Sequence, residues 1–230
     1  MASKKNKEQY ADGSQVVRPR VNFYSLYGKR MLDILFGGIG VVLTLPINLV
    51  LAILTLFDVG FPIIFKQERI GLNNKPFTLV KFRNMTNETD ANGKLLPASE
   101  RVTKFGKFVR KMSLDELLQF WLILIGKMSI IGPRPLVKSY LPQYTERHRM
   151  RHVVRPGLEC PPHAKNVQIF TWDDRFENDI WYVEHISFCT DIKMLFQMLR
   201  LVFNKKNNSV RSDVGVSRGD YFVENRRNDE

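Results

Sequence analysis

Cysteine is nearly absent from this chain: Cys160 and Cys189 are the only two among 230 residues. They stand at neither disulfide-framework nor metal-ligand spacing, which excludes a cross-linked secreted scaffold and makes both free thiols of a reducing compartment. Histidine is equally scarce, with four. His148 and His152 fall four apart, as zinc ligands on a helix do. Arg149, Met150 and Arg151 between them bring no carboxylate and repel a cation, so the pair reads as a solvated helix face. Acidic residues are outnumbered, 23 Asp and Glu against 35 Lys and Arg, giving a net charge of +12 and a pI near 9.8. That balance asks for an anionic partner: nucleic acid, anionic lipid or a diphosphate. Repeats and low-complexity tracts are missing, and 44% hydrophobic content excludes a disordered chain.

Charge itself is missing from Ile34 to Phe57, a run of roughly 24 residues where roughly 20 span a bilayer. The run starts too far from Met1, and lacks a small-residue cleavage site, to be a signal peptide. Pro46 in its middle lacks a backbone donor and crowds the preceding turn, which predicts a kink or break. Basic residues mark both flanks: Arg18, Arg20, Lys29 and Arg30 before, Lys66, Arg69, Lys75, Lys81 and Arg83 after. Positive flanks stay cytoplasmic. A helix–Pro–helix hairpin that enters and leaves by one leaflet satisfies both flanks; a kinked single span is the alternative.

Residues 1–20 are polar and basic, the pattern of a flexible arm. Short β-prone stretches around Gly71, Asn73 and Asn74, between Pro62 and Met85, predict a hairpin. Arg101, Lys104, Lys107 and Arg110 recur every three residues opposite Val102, Phe105, Phe108, Val109 and Met112. They predict a basic amphipathic helix, either in the headgroup layer or against the core. Gly132-Pro133-Arg134-Pro135 stops any helix, a polar helix over Tyr144 to Met150 follows, and Arg155-Pro156-Gly157 is a second break. Ile192, Leu195, Phe196, Leu199, Val202 and Phe203 fall at helical spacing. Asn84, Asn87 and Asn207 begin glycosylation sequons, without consequence on a cytoplasmic face.

Ser113-Leu114-Asp115-Glu116 is the sharpest local feature. As a capping box, Ser113 opens an apolar helix and Glu116 bonds back to its backbone. As chemistry, Asp115 in a first helical turn near Arg110 and Lys111 stays ionised, and an ionised carboxylate attacks phosphorus. An adjacent carboxylate suits magnesium, which takes one or two carboxylates plus substrate phosphates.

These residues sit in longer runs, Lys107 to Gln119 and Gly126 to Leu136, that resemble the signature of bacterial sugar transferases. These are the small monotopic phosphoglycosyl transferases acting on undecaprenyl phosphate. Lys29-Arg30 with Asp33, Gln67-x-Arg69-x-Gly71, Lys81-Phe82-Arg83-x-Met85, Val154-Arg155-Pro156-Gly157, Trp181-Tyr182-Val183-Glu184 and Asp191-Ile192-Lys193 extend the likeness from about Tyr27 to Phe203. The resemblance implies that Asp115 is the nucleophile on the β-phosphate of a UDP-sugar, releasing UMP and passing the phosphosugar to polyprenol phosphate. Glu116 then matches the Mg²⁺ ligand, Arg110 a phosphate contact, and Arg134 a contact on the nucleotide side. It also implies a hairpin of about 31–58 broken at Pro46. Leu45 replaces the serine that usually precedes that proline, with Thr44 available to bond a freed carbonyl. Leu158 to Lys165 departs from the family's usual Gly-Trp-Ala-Gln-Val-Asn-Gly-like segment, so no site role is drawn from it.

The expected fold is α/β, mostly helical, as one membrane-associated domain with a re-entrant hairpin, surface amphipathic helices and a small β element. Residues 27–203 form that domain, between a basic arm (1–26) and a polar tail (204–230). The expected partners are a UDP-sugar, undecaprenyl phosphate and the lipid bilayer at the cytoplasmic face of the inner membrane, with a second copy of the chain as an optional one. A membrane-tethered nucleic-acid binder is the rival class, but the basic residues interleave with proline turns and gather on no recognisable module. A catalytically silent scaffold is the other alternative, and intact Asp115, Glu116 and Arg110 argue against it.

Overall fold

The computed structural model describes residues 8–164, 169 and 171–203. In chain order the elements are α1 (Lys29–Val59), β1 (Ile64–Ile70), β2 (Pro76–Phe82), α2 (Ala98–Arg101), α3 (Lys104–Lys111) and α4 (Gln119–Leu124). They continue with β3 (Ser129–Ile131), α5 (Glu146–Arg149), β4 (Gly157–Glu159), α6 (Trp172–His185) and α7 (Phe188–Phe203). Helix dominates, and the sheets are small: β1 pairs β2, and β3 runs parallel to β4 with Ser129 opposite Gly157 and Ile131 opposite Glu159. The chain divides into two compact units, one of residues 1–37, 68–78 and 122–198, the other of residues 38–67, 79–121 and 199–230.

The first unit is built on α6 and α7. Ile131, Cys160, Tyr182, Ile186 and Met194 form its main core, and Val17 packs with Ile180 and Val183. Two polar networks run through it. Asp191 accepts from Lys29 Nζ (2.6 Å), Tyr24 Oη (2.6 Å) and Tyr182 Oη (2.7 Å). Arg151, 1% exposed, is paired with Asp179 at 2.6 Å. The expected loose arm is docked over residues 8–20: Arg20 N donates to the Val183 carbonyl, Arg18 N to Glu184, and Glu146 N to Asp12. Residues 1–7 and the tail 204–230 lie outside the described residues.

Leu158 and Glu159 fall in β4, and Cys160 and Pro161 are buried. Asn178 pins this turn by donating to the carbonyls of Cys160 and Pro161 and accepting from His163 N. Lys165 is outside the described residues. His152 is a correction to the solvated-face reading. It is 5% exposed, and its Nδ1 lies 2.7 Å from Asn74 Oδ1 at the turn between β1 and β2, while His148 faces Glu177. Burial, with Arg151's charge beside it, pushes the His152 pKa down to about 3.

The second unit centres on Leu51, Phe82 and Val109, with Phe105, Leu114, Leu117 and Leu118 against them. The predicted basic helix divides into α2 and α3, separated by Val102 and Thr103. The apolar side of α3 is shared: Val109 is buried, whereas Phe108 (55%) and Met112 (46%) stay exposed beside its lysines.

α1 belongs in part to each unit and is long and apolar enough to cross a membrane, with 22% of its most apolar window buried. The helix continues through Pro46, so the expected interruption is absent from the described backbone. Thr44 Oγ1 donates to the Gly40 carbonyl at 2.7 Å and so supports the turn before Pro46, not the carbonyl of Val42 that the proline leaves without a donor. Gly40 has no room for a side chain, since a Cβ there would lie 2.3 Å from the Phe120 ring.

Candidate active site

Thr103 begins the site. Its side chain accepts from Gly106 N at 2.7 Å and caps α3, and the same hydroxyl donates to Asp58 Oδ2 at 2.6 Å. From this fixed start, α3 carries Arg110 and Lys111 in its last turn, where cations suit the negative helix end.

The reading of Ser113 as a helix N-cap is overturned. Ser113 has φ 55° and ψ 25°, in the left-handed region, and makes no cap bond with its side chain. It ends α3 instead: Ser113 N donates to the Arg110 carbonyl, and Glu116 N to the Ser113 carbonyl. A non-glycine residue held in this region costs of order 1–3 kcal/mol, and such strain clusters at active sites. Leu114–Glu116 is then a single 3₁₀ turn ahead of α4. A tight reversal thus presents Asp115 and Glu116, where the sequence alone suggested the first turn of a long helix.

Asp115 is 5% exposed. Asn84 Nδ2 donates to its Oδ2 at 3.1 Å. Burial is the largest influence on Asp115 and the Glu116 charge the second, together pushing its pKa up to about 6; Lys81 and Arg110 pull the other way. The carboxylate is therefore ionised at neutral pH, but only just. Burial lowers the Arg110 pKa while Asp115 counters the effect, so the guanidinium remains a cation.

The structure brings Arg110, Asp115 and Glu116 together in the second unit. Arg134 lies in the first unit, where its Nη1 donates to the Leu158 carbonyl at 2.8 Å and its own carbonyl accepts from Arg151. Two residues beside Asp115 were missing from the sequence-based set. Lys81 stood inside a matched motif at the end of β2, and Asn84 stood out only as the start of a sequon. Neither has a periodicity that points to Asp115; the fold alone brings them there.

The described residues contain no group of three or more His, Cys, Asp or Glu side chains arranged for a metal. The oxygens on offer come from the neighbouring Asp115 and Glu116. Such a partial set matches magnesium, which is commonly completed by substrate phosphates and water.

The chain is similar in sequence to several known proteins. Uncharacterized sugar transferase EpsL of Bacillus subtilis (strain 168) is 47% identical over 144 residues, covering 63% of this chain and 71% of the relative. The UDP-N-acetylgalactosamine-undecaprenyl-phosphate N-acetylgalactosaminephosphotransferase of Aeromonas hydrophila is 33% identical over 182 residues, 76% of this chain. The UDP-glucose:undecaprenyl-phosphate glucose-1-phosphate transferase of Klebsiella pneumoniae is 35% identical over 192 residues, also 76% of this chain. The chain spans 43% and 40% of the length of these last two. Residues 24–205 match the family described as bacterial sugar transferase, a span holding α1, the Ser113 reversal and every side chain around Asp115, and the chain belongs to that family.

Proposed function

We propose that this protein transfers a sugar 1-phosphate from a UDP-sugar to undecaprenyl phosphate through a covalent phosphosugar on Asp115. The observation that carries the reading is a buried carboxylate with a carboxylate neighbour and two cations, Lys81 and Arg110, within electrostatic reach. The named activities of the Aeromonas and Klebsiella relatives support the substrate classes.

In the first half-reaction Asp115 forms an O–P bond to the β-phosphorus, the bridging P–O bond breaks, and its electron pair leaves with UMP. In the second, an oxygen of the polyprenol phosphate bonds the same phosphorus and the Asp115 carboxylate is restored. Phosphoryl transfer needs little covalent help from a protein beyond the nucleophile; positioning and charge around the phosphate oxygens supply most of the acceleration. Arg110 and Lys81 provide that charge. Glu116 would hold Mg²⁺, whose charge would offset that of the diphosphate when bound.

Membrane seating follows from α1. Its first turns are tied by Lys29 to Asp191, by Arg30 to the Ile123 and Leu124 carbonyls, and by Asp33 to Ser129. Its end is tied by Asp58 to Thr103 and by the Arg83 guanidinium to the Val59 and Gly60 carbonyls. Between Thr103 and Ser129 no described helix is long and apolar enough to cross a bilayer. The basic residues on both flanks of α1 are what supports a re-entrant course with both flanks on the cytoplasmic side.

The test is UMP release by purified protein in nanodiscs with undecaprenyl phosphate, magnesium and a panel of UDP-sugars, alongside Asp115→Asn. Release with one sugar, lost in the variant and with chelator, is expected. Undiminished release by the variant would remove Asp115 from the reaction.

A further inference from the structure

Asn84 follows the end of β2 by two residues and is 4% exposed. Its backbone is packed closely against its neighbours. The Asn84 carbonyl oxygen fills the space beside Gly106, where an added Cβ would lie 2.2 Å from it. Met85 bridges Val102, and Thr86 N donates to the Arg101 carbonyl at 2.9 Å. A backbone held by these contacts thus presents one neutral amide donor to one oxygen of Asp115, at 3.1 Å.

Resting on the reading of Asp115 as nucleophile, we propose that Asn84 is a positioning residue for both half-reactions, with its larger effect on the second. In the first half-reaction it occupies Oδ2 and leaves Oδ1 to form the bond to the β-phosphorus. Oδ2 then becomes the carbonyl oxygen of the acyl phosphate, with the amide still donating to it. In the second half-reaction the polyprenol phosphate oxygen bonds phosphorus, the Oδ1–P bond breaks, and the electron pair returns to the carboxylate. Negative charge grows on Oδ2 as that bond breaks, so the Asn84 hydrogen bond strengthens towards the transition state. Only interactions that strengthen in this way speed a chemical step. No proton is transferred, and the amide remains neutral throughout.

The experiment uses the full chain in nanodiscs with undecaprenyl phosphate and UDP-sugars labelled in the sugar, read as steady-state turnover and as label quenched onto the protein. Asn84→Leu is expected to lower turnover on the order of 10²-fold, the scale for loss of one preorganised donor. KM for the UDP-sugar should fall along with turnover, because kcat/KM for the donor reports the loading step alone and should change far less than kcat. Label on the protein during turnover should rise above wild type, because release from Asp115 slows more than loading. Turnover within about threefold of wild type, or a loss without added label, overturns the assignment. If the leucine variant fails to fold, Asn84→Ser, with a donor too short to reach Asp115, is judged by the same readouts. Asp115→Asn separates the two ideas. Label on that variant would defeat the nucleophile reading, and Asn84 with it; an unlabelled Asp115→Asn beside a normal Asn84→Leu would defeat the Asn84 assignment alone.

Discussion

Asp191 and Asp115 are both buried carboxylates, 7% and 5% exposed, in different units of the chain. Asp191 receives an ammonium and two phenol hydroxyls, all within 2.7 Å. Asp115 receives a single side-chain amide at 3.1 Å and has a second carboxylate beside it. A carboxylate supplied with donors on both oxygens is a strut, whose free energy is already spent on holding Tyr24, α6 and α7 in register. One that is buried, charged and more sparsely supplied fits the role proposed for Asp115. The pair shows why burial alone does not identify chemistry: what identifies it is the balance between desolvation and partners.

The largest effect expected from this contrast is on turnover. Asp115→Asn should reduce UMP release by on the order of 10³-fold or more, whereas Asp191→Asn should reduce it only in proportion to the protein that fails to fold. Comparable losses of specific activity per folded molecule would break the distinction.

Stability should respond in the opposite order. Asp191→Ala leaves Lys29 buried without its counter-charge and should cost about 3–5 kcal/mol in denaturant unfolding. Asp115→Asn should instead stabilise the protein at pH 7.5 in chelator, by at most about 3 kcal/mol. The sign follows from the raised pKa: the folded state disfavours the ionised form, so the penalty appears as pH rises from 3.8 towards about 6, and the amide never incurs it. A destabilised Asp115→Asn would show that the Asp115 site is a strut after all.

His152 sharpens the comparison with the opposite slope. Its folded pKa is depressed, so the unfolded chain takes up the proton and stability is lost as pH falls below the ordinary value of 6.5. Between pH 7 and 5 this amounts to about 2 kcal/mol, and His152→Gln should remove that part of the decline. The smallest effect is at Thr103. Thr103→Ala should cost about 1 kcal/mol by removing the α3 cap, with Thr103→Ser close to wild type.

Much of this architecture was legible in advance. The charge-free run gave α1, the Asn-rich turn gave the β1–β2 pair, and the proline stretch before Lys138 ended any helix, because each is written in adjacent residues. What escaped prediction depends on partners remote in sequence. Ser-x-x-Glu has the pattern of a capping box, but Ser113 is left-handed because α3 already ends there and the chain must reverse. Pro46 was expected to kink or break α1, yet the helix continues through it, with Thr44 bonding the turn before. His152 looked solvated until Asn74, 78 residues earlier, arrived beside it. Asp115 was singled out by its motif; the amide that donates to it, 31 residues upstream, was not.

One hydroxyl does two tasks in the second unit. Thr103 Oγ1 holds the last turn of the apolar helix through Asp58 and, with its lone pair, the first turn of the helix that ends at Arg110. Any shift of the last turn of α1 therefore pulls on the same oxygen that starts α3. The end of the apolar helix and the start of the helix that carries Arg110 are coupled coordinates, joined at a single atom.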